Sequence, residues 1–195
     1  MYSLGVKLTG TLQVCNGCAQ SKENTRGVRK KTYTTASQPG ERIFVDTTGP
    51  FSESLIGNWY WIVVVDNYKR YSWSFFTKTN DQLPKNMEEF FEKMTSRGTP
   101  VKYLRCNNSG EHQSKLQRVC KKEKVMLEYK TSHTPQMNGV IERRFYVIKE
   151  GALAILLNAK LNDTAQNILW EEAVHTCKRV RNSMATTGST TSPIK

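Results

Sequence analysis

The sequence predicts an α/β protein in which helices pack on a mixed β-sheet. Short segments rich in β-branched and aromatic residues alternate with segments whose apolar residues recur at helical spacing. Their order along the chain is β-β-β-α-β-α-β-α-α, which is typical of a sheet covered by helices. A chain of 195 residues can bury a substantial core, so we expect one domain with a short extension.

Five segments have the composition of strands. The first stops at Gly49–Pro50, since proline cannot donate to a strand ladder, and the second and third flank a turn at Asp66–Asn67. We therefore predict strands in the segments 42–51, 58–78 (two strands), 101–106 and 126–130.

Four segments have helical periodicity. In the first, apolar residues recur every three to four positions from Met87 to Met94, and Gly98 marks its end. The third is the longest, with an apolar stripe that runs from Ile141 to Ala152. The predicted helices occupy 81–98, 114–125, 138–159 and 164–184.

Charge is the strongest compositional feature of the chain. The net charge is +12, and the basic residues are concentrated towards both ends, which predicts a nucleic-acid partner; solubility alone is the alternative explanation. No apolar run approaches the roughly 20 residues that a membrane span needs, and the start has no signal-peptide core. We therefore expect an intracellular protein of the nucleus or cytoplasm, with no membrane contact.

Three oxygen-bearing side chains occupy positions suited to chemistry. Asp46 interrupts an apolar strand, Asn107 follows the fourth strand, and Glu142 lies in the first turns of the long helix. If they converge, their oxygens would suit Mg²⁺ or Mn²⁺. The alternative is structural: Asp46 caps a turn, and Glu142 complements the positive end of the helix dipole.

Several motifs resemble those of one known family. These stretches are VDTTGPF (45–51), YWIVVVDNYKRYSWSFFTK (60–78), LRCNNSGEH (104–112), HTPQMNGVIERRF (133–145) and LWEEAVHTCKRVRN (169–182). In this order they are similar to the integrase catalytic core of Ty1/copia-type retrotransposons, within the retroviral-integrase superfamily. The resemblance implies a ribonuclease H-like five-stranded mixed sheet over residues 41–195, and DNA integration by metal-dependent polynucleotidyl transfer with Asp46, Asn107 and Glu142 at the catalytic positions.

Asn107 departs from the family pattern, which has an aspartate at this position. An amide oxygen can still bind a divalent cation, but it brings no negative charge, so we expect a weakened Mg²⁺ or Mn²⁺ site and impaired catalysis. Whether the chain is an active enzyme is therefore open. A catalytically inactive remnant that binds nucleic acid or multimerises is the main alternative, and a nuclease acting on RNA–DNA hybrids is a third.

Residues 1–40 are predicted to be a linker and the incomplete remnant of a zinc-binding domain. Cys15-x₂-Cys18 alone is weak evidence for zinc, and the resemblance implies that the two histidine ligands would lie upstream of this chain. We expect Cys15 and Cys18 to be vestigial and zinc to be absent. The scattered cysteines Cys106, Cys120 and Cys177 are expected to be buried packing residues in a reducing compartment.

The long helix also carries the predicted DNA contacts. Positions 142, 146 and 149 share one face, so Tyr146 could stack on a base and Lys149 could bind a phosphate beside Glu142. Arg143 is a further predicted DNA contact, and Arg144 could add another. The alternative is a solvated helix face. The resemblance implies that the chain works as a homodimer or higher multimer.

Overall fold

The structure is a computed structural model that describes residues 36–106, 113–129 and 139–184. Its strands are β1 (Arg42–Thr48), β2 (Tyr60–Asp66), β3 (Ser72–Thr77), β4 (Tyr103–Cys106) and β5 (Met126–Tyr129). Its helices are α1 (Leu83–Ser96), α2 (Gln113–Lys122), α3 (Gly139–Asn158), α4 (Asp163–Ile168) and α5 (Trp170–Ser183), and a 3₁₀ turn, Asn80–Gln82, precedes α1.

The strands form one five-stranded mixed sheet, as predicted, and the structure gives their order in it as β3-β2-β1-β4-β5. β1, β2 and β3 pair antiparallel in chain order, with residues 49–59 joining β1 to β2 and residues 67–71 joining β2 to β3. β4 pairs parallel to both β1 and β5, and α1 and α2 supply the long connections that parallel pairing requires. The central strand is therefore β1, the strand that carries Asp46.

Residues alternate between the two faces of the sheet along β1. Ile43 and Val45 point to one face, which we call the α1/α2 face, where they join a buried cluster with Met87, Phe91 and Leu116. Phe44 points to the opposite face, which we call the α3/α5 face. Its buried cluster combines residues from β2, α3 and α5: Trp61, Val63, Val65, Ile141, Ile148, Ala152, Leu156, Ala173, Val174 and Cys177.

The prediction of a single helix over 164–184 was wrong, because the structure has two helices, α4 and α5, with a break at Leu169. The backbone carbonyl of Ile168 accepts a hydrogen bond from the backbone N–H of Leu55, at 2.9 Å. The indole N–H of Trp170 donates to the carbonyl of Ser52, at 2.8 Å. Contacts with the β1–β2 loop therefore decide where α5 begins, and helical periodicity alone could not indicate this.

The burial predicted for the three core cysteines is confirmed: Cys106, Cys120 and Cys177 are all buried. Burial raises the pKa of Cys106 to about 11 and that of Cys120 to about 12. These thiols therefore stay protonated at neutral pH, as expected of packing residues. Cys15 and Cys18 lie outside the described residues.

Candidate metal and nucleic-acid site

Asp46 lies near the end of the central strand on the α3/α5 face. Alternation from Phe44 puts it on this face, and its cross-strand partner Val63 belongs to the same buried cluster. The side chain is half-buried, and its Oδ1 accepts a hydrogen bond from the backbone N–H of Thr47 at 3.0 Å. A carboxylate therefore interrupts an apolar surface where helix α3 covers the sheet.

The end of β4 lies beside Asp46. The parallel register pairs Phe44 with Arg105, and Cys106 is the last residue of β4. The negative charge of Asp46 adds to the effect of burial in raising the pKa of Cys106, so carboxylate and thiol are within electrostatic reach. Asn107 follows directly in the sequence but lies outside the described residues.

Glu142 lies in the first turn of α3, and its side chain is exposed. The preceding residue, Ile141, is buried in the cluster that contains Phe44 and Val63. One turn further on, the ring of Phe145 stacks on Trp61, with centroids 4.4 Å apart and planes at 27°. The first two turns of α3 therefore pack on β1 and β2 on the face that carries Asp46, and Glu142 borders this contact.

The structural alternative for these acids also has support. Asp46 accepts a hydrogen bond from the residue that follows it, and Glu142 lies where the helix dipole favours a negative charge. For Glu142, that interaction is worth about 0.3–1 kcal/mol at an exposed site. The dipole interaction accounts for the position of Glu142 alone. It does not explain why Asp46 lies on the sheet face that α3 covers.

The predicted DNA-contact residues Arg143, Tyr146 and Lys149 are all exposed on α3. Arg144 differs from them, because its side chain turns inward. Its Nε donates to Ser72 Oγ at 3.1 Å, and its terminal NH2 donates to Asn182 Oδ1 at 2.6 Å. Arg144 is therefore used inside the protein, contrary to the suggested phosphate contact.

The network around Arg144 ties α3 to β3 and α5. Asn182 is buried; its Oδ1 accepts from the backbone N–H of Ser72 at 3.1 Å, and its Nδ2 donates to the Ser72 carbonyl at 2.8 Å. Burial lowers the pKa of Arg144 to about 10, and repulsion from Arg181 adds to this effect. Arg144 stays charged at neutral pH. Spacing along the helix could not indicate that Arg144, rather than its neighbour Arg143, would turn inward.

Two arginines share one carboxylate on the neighbouring strands. Glu128 on β5 contacts Arg105 at 2.7 Å and Arg42 at 3.1 Å. The guanidinium of Arg105 also lies over the Phe44 ring, 5.6 Å from its centroid. These ion pairs join β1, β4 and β5 next to the strand positions of Asp46 and Cys106. These ion pairs were not predicted from the sequence. The charged residues inside the short predicted strands were the feature that could have indicated them.

A second group of acids lies on the α1/α2 side of the molecule. The carboxylates of Glu88, Glu92 and Glu123 come within 4.8 Å of one another. The ammonium group of Lys122 lies 2.5 Å from Glu88 and 3.9 Å from Glu123, so a lysine already offsets part of their charge.

Among the helices that the structure describes, none is both long and apolar enough to cross a bilayer.

Comparison of the sequence with known proteins finds relatives among retrotransposon polyproteins. The chain is 30% identical over 175 residues to the retrovirus-related Pol polyprotein from transposon TNT 1-94 of Nicotiana tabacum, which covers 85% of the chain. It is 26% identical over 167 residues to the corresponding polyprotein from transposon RE2 of Arabidopsis thaliana. The matches span 12% and 11% of these polyproteins, so the chain corresponds to a small part of each. No protein-family model matches.

A solved structure has the same fold. It is a chain from the cryo-EM structure of the simian T-cell lymphotropic virus intasome in complex with PP2A regulatory subunit B56 gamma. The two superpose with a TM-score of 0.65, over 90% of this chain and 61% of that chain. Sequence identity is 14%, so this likeness bears on the fold alone.

The sequence comparison identifies the homologues of this chain, and the structural comparison identifies its fold. The Pol polyprotein matches cover most of the chain, and the five-stranded mixed sheet flanked by helices matches a chain of a retroviral intasome. The chain therefore has a ribonuclease H-like fold, and its homologues are the Pol polyproteins of Ty1/copia-type retrotransposons.

Proposed function

We propose that this chain is the core of a metal-dependent polynucleotidyl transferase for DNA integration, and that its activity is impaired. The observation that carries the proposal is the placement of Asp46 on the sheet face that the first turns of α3, with Glu142, cover. Homology to retrovirus-related Pol polyproteins of transposons supports the same reaction class. The catalytic positions would be Asp46, Asn107 and Glu142.

The donor chemistry of the described residues fits a hard divalent cation. Asp46 and Glu142 offer carboxylate oxygens from a strand and a helix, and Mg²⁺ is commonly bound by one or two carboxylates together with substrate phosphates. When bound, Mg²⁺ or Mn²⁺ would activate the attacking water or hydroxyl and stabilise the leaving oxygen of a phosphodiester. The hydrogen bond from Thr47 would hold the Asp46 carboxylate in one orientation.

The remaining side chains of α3 would position the DNA. Arg143 and Lys149 are exposed cations that would bind backbone phosphates, and the exposed ring of Tyr146 would stack on a base or sugar. The half-buried Arg144 would fix the turn that carries Glu142 to β3 and α5, through its hydrogen bonds to Ser72 and Asn182. Because the structural relative comes from an intasome, we propose that this chain too acts on DNA as a multimer.

Asn107 is the reason for proposing impaired activity. A neutral amide in place of a carboxylate removes one full negative charge from the set of residues that would hold the cations. We expect the purified protein to show negligible strand transfer with Mn²⁺, and Asn107→Asp to raise that activity at least about tenfold by strengthening the metal site. Strand transfer on a labelled DNA duplex, with Mn²⁺ binding followed by calorimetry, measures both effects.

Matched variants separate loss of charge from loss of fold. Asp46→Asn and Glu142→Gln keep the shape of each side chain and should abolish the activity that Asn107→Asp restores. Robust strand transfer by the unmodified chain would refute the impaired site. If Asn107→Asp binds Mn²⁺ no more tightly than the unmodified chain, residue 107 does not belong to a metal site.

A second candidate function is nucleic-acid binding without chemistry. The net charge of +12 and the exposed basic residues of α3 favour it, and it needs no third carboxylate. Binding should then be independent of sequence and weaken steeply with salt, because each phosphate contact releases counterions. Affinity that is unchanged between low and moderate salt would contradict it. Strand transfer by the Asn107→Asp variant would show that the chain kept the rest of an enzyme.

A further inference from the structure

A cleft opens where β1 ends, β2 begins and β3 ends. It has a volume of about 360 Å³ and is lined by Pro50, Trp59, Tyr60, Lys78, Thr79 and Asn80. This volume falls in the range of about 300–1,000 Å³ that is usual for small-ligand sites, so the cleft can hold one base with its sugar. None of the proposed metal or DNA residues of α3 lines it.

The lining combines an aromatic surface with a cation. The Trp59 side chain is 41% exposed although it is a large apolar group, and Lys78 is exposed beside it. Thr79 and Asn80 add exposed polar groups, and none of the six lining residues is acidic. A ring for stacking next to an ammonium group for a phosphate is the combination that binds single-stranded nucleic acid without regard to sequence.

The cleft is a continuation of the strand that carries Asp46. After Thr48, the chain passes through Gly49, where φ is +136°, and is pressed against the start of β2. A Cβ on Gly49 would lie 2.6 Å from the Trp59 carbonyl oxygen, so only glycine permits this approach. Extended chain rises about 3.3 Å per residue, which puts Pro50 at most about 13 Å from Asp46. A few nucleotides of single-stranded DNA can span this distance.

We infer that the cleft seats one nucleotide of a DNA strand whose reacting phosphate lies at Asp46 and Glu142. The base stacks on Trp59 and a phosphate pairs with Lys78. This inference rests on the proposed function and adds to it a strand-holding subsite away from α3. A proline-rich peptide would also suit an aromatic groove, but the strongly basic chain and the lysine in the lining favour a polyanion.

The carboxylate of Glu53, which lies near Lys78, provides a second test of the inference. A Cβ on Gly57 would lie 3.5 Å from Glu53 Oε1 and 3.9 Å from Lys78 Nζ, so the carboxylate and the ammonium group flank the same glycine. Glu53 therefore offsets part of the Lys78 charge and repels a phosphate that approaches it. Glu53→Gln should tighten DNA binding, whereas most surface substitutions would leave it unchanged.

The test is the affinity of the full chain for a fluorescent oligothymidylate, measured by anisotropy in EDTA so that metal binding plays no part. Trp59→Ala should weaken binding at least about fivefold, the lower end of what base–aromatic stacking contributes, and Trp59→Phe should retain most of the affinity. Lys78→Ala should weaken binding and reduce the salt slope by about 0.7. Tyr68→Ala removes an even more exposed ring from the turn after β2 and should change nothing.

The outcomes separate this inference from the proposed function. If Trp59→Ala and Lys78→Ala bind like the unmodified chain while Lys149→Ala binds more weakly, the subsite is refuted and the α3 surface stands. Binding of a proline-rich peptide that Trp59→Ala abolishes, without any effect on DNA, would also overturn it. If Trp59→Ala fails to fold, Lys78→Ala and Glu53→Gln decide the question, because both change exposed residues. The proposed function has a separate test: it is refuted if Asp46→Asn leaves Mn²⁺ binding unchanged, whatever the result for the cleft.

Discussion

The two faces of the sheet are built differently. The α1/α2 face is covered by an almost entirely apolar cluster in which Ile43, Leu104 and Met87 have no exposed surface. The α3/α5 face has an apolar centre of similar kind, but polar groups border it: Asp46 on β1, the Arg144–Asn182–Ser72 network, and Glu171. One face is therefore almost purely apolar, and the other also carries Asp46, a residue of the proposed site.

On the α3/α5 face, hydrogen bonds pair the buried polar side chains. Glu171 in α5 accepts hydrogen bonds from Ser54 Oγ at 2.7 Å and Asn58 Nδ2 at 3.0 Å, so its charge is paired with the β1–β2 loop. Asn182 is paired in the same manner with β3 and α3. Unpaired, each of these buried groups would cost about 1–3 kcal/mol. The loop and helix ends around the proposed site are thus held by hydrogen bonds rather than by apolar packing alone.

The largest expected effect is on the α1/α2 face. Phe91 is 1% exposed, and Phe91→Ala should lower the free energy of unfolding by about 3–5 kcal/mol, because it leaves a cavity in a close-packed cluster. Chemical denaturation measures this change. At temperatures where the variant is folded, its affinity for Mn²⁺ should equal that of the unmodified chain, and a lower affinity would show that the two faces are not independent.

Disruption of the polar network comes next in size. Asn182→Ala should cost about 2–4 kcal/mol, because it leaves Arg144 and the Ser72 backbone without their partner. Asn182→Asp keeps the acceptor for Arg144 and should be milder. Unlike Phe91→Ala, Asn182→Ala should also weaken Mn²⁺ binding, because Arg144 anchors the turn that carries Glu142. Calorimetry at equal folded fraction checks this, and an unchanged Mn²⁺ affinity would remove Arg144 from the positioning role.

The smallest of the three effects concerns the crossing of α3 and α5. A Cβ on Gly151 would lie 2.3 Å from the Sγ of Cys177, so Gly151→Ala should destabilise the protein by about 1–3 kcal/mol through overpacking. Cys177→Ala removes the clashing atom, and the double variant should be more stable than the sum of the two single effects predicts. Thermal unfolding of the four proteins measures the coupling. Additive effects would mean that the helices separate easily.

Much of the architecture was predictable, since it depends on local patterns. Alternation and turn residues indicated all five strands, and the apolar spacing from Met87 to Met94 indicated α1. The first strand was predicted to stop at Gly49–Pro50, and it ends at Thr48, where Gly49 turns the chain against β2. The break at Leu169 was missed, because hydrogen bonds to the distant β1–β2 loop produce it.

The candidate site was predictable only in part. Asp46 and Glu142 could be identified because a carboxylate in an apolar strand and an acid in a first helical turn are local features. The family resemblance then assigned both residues to one predicted site. The Trp59–Lys78 cleft was not found, although the exposed tryptophan was visible in the sequence, because its lining comes from three separate segments. The predictions for residues 1–35 and for Asn107 lie outside the described residues and stay predictions.

By itself, the sequence determined the order of strands and helices, the strongly basic charge, and the presence of a neutral amide at position 107. These follow from residue type and from spacing along the chain. The tertiary structure decided which of two adjacent arginines points outward: Arg143 is exposed, whereas Arg144 donates to Ser72 and Asn182. The physical reason is that hydrogen-bond partners, burial and electrostatic neighbours come from segments far apart in the chain, and only folding brings them together.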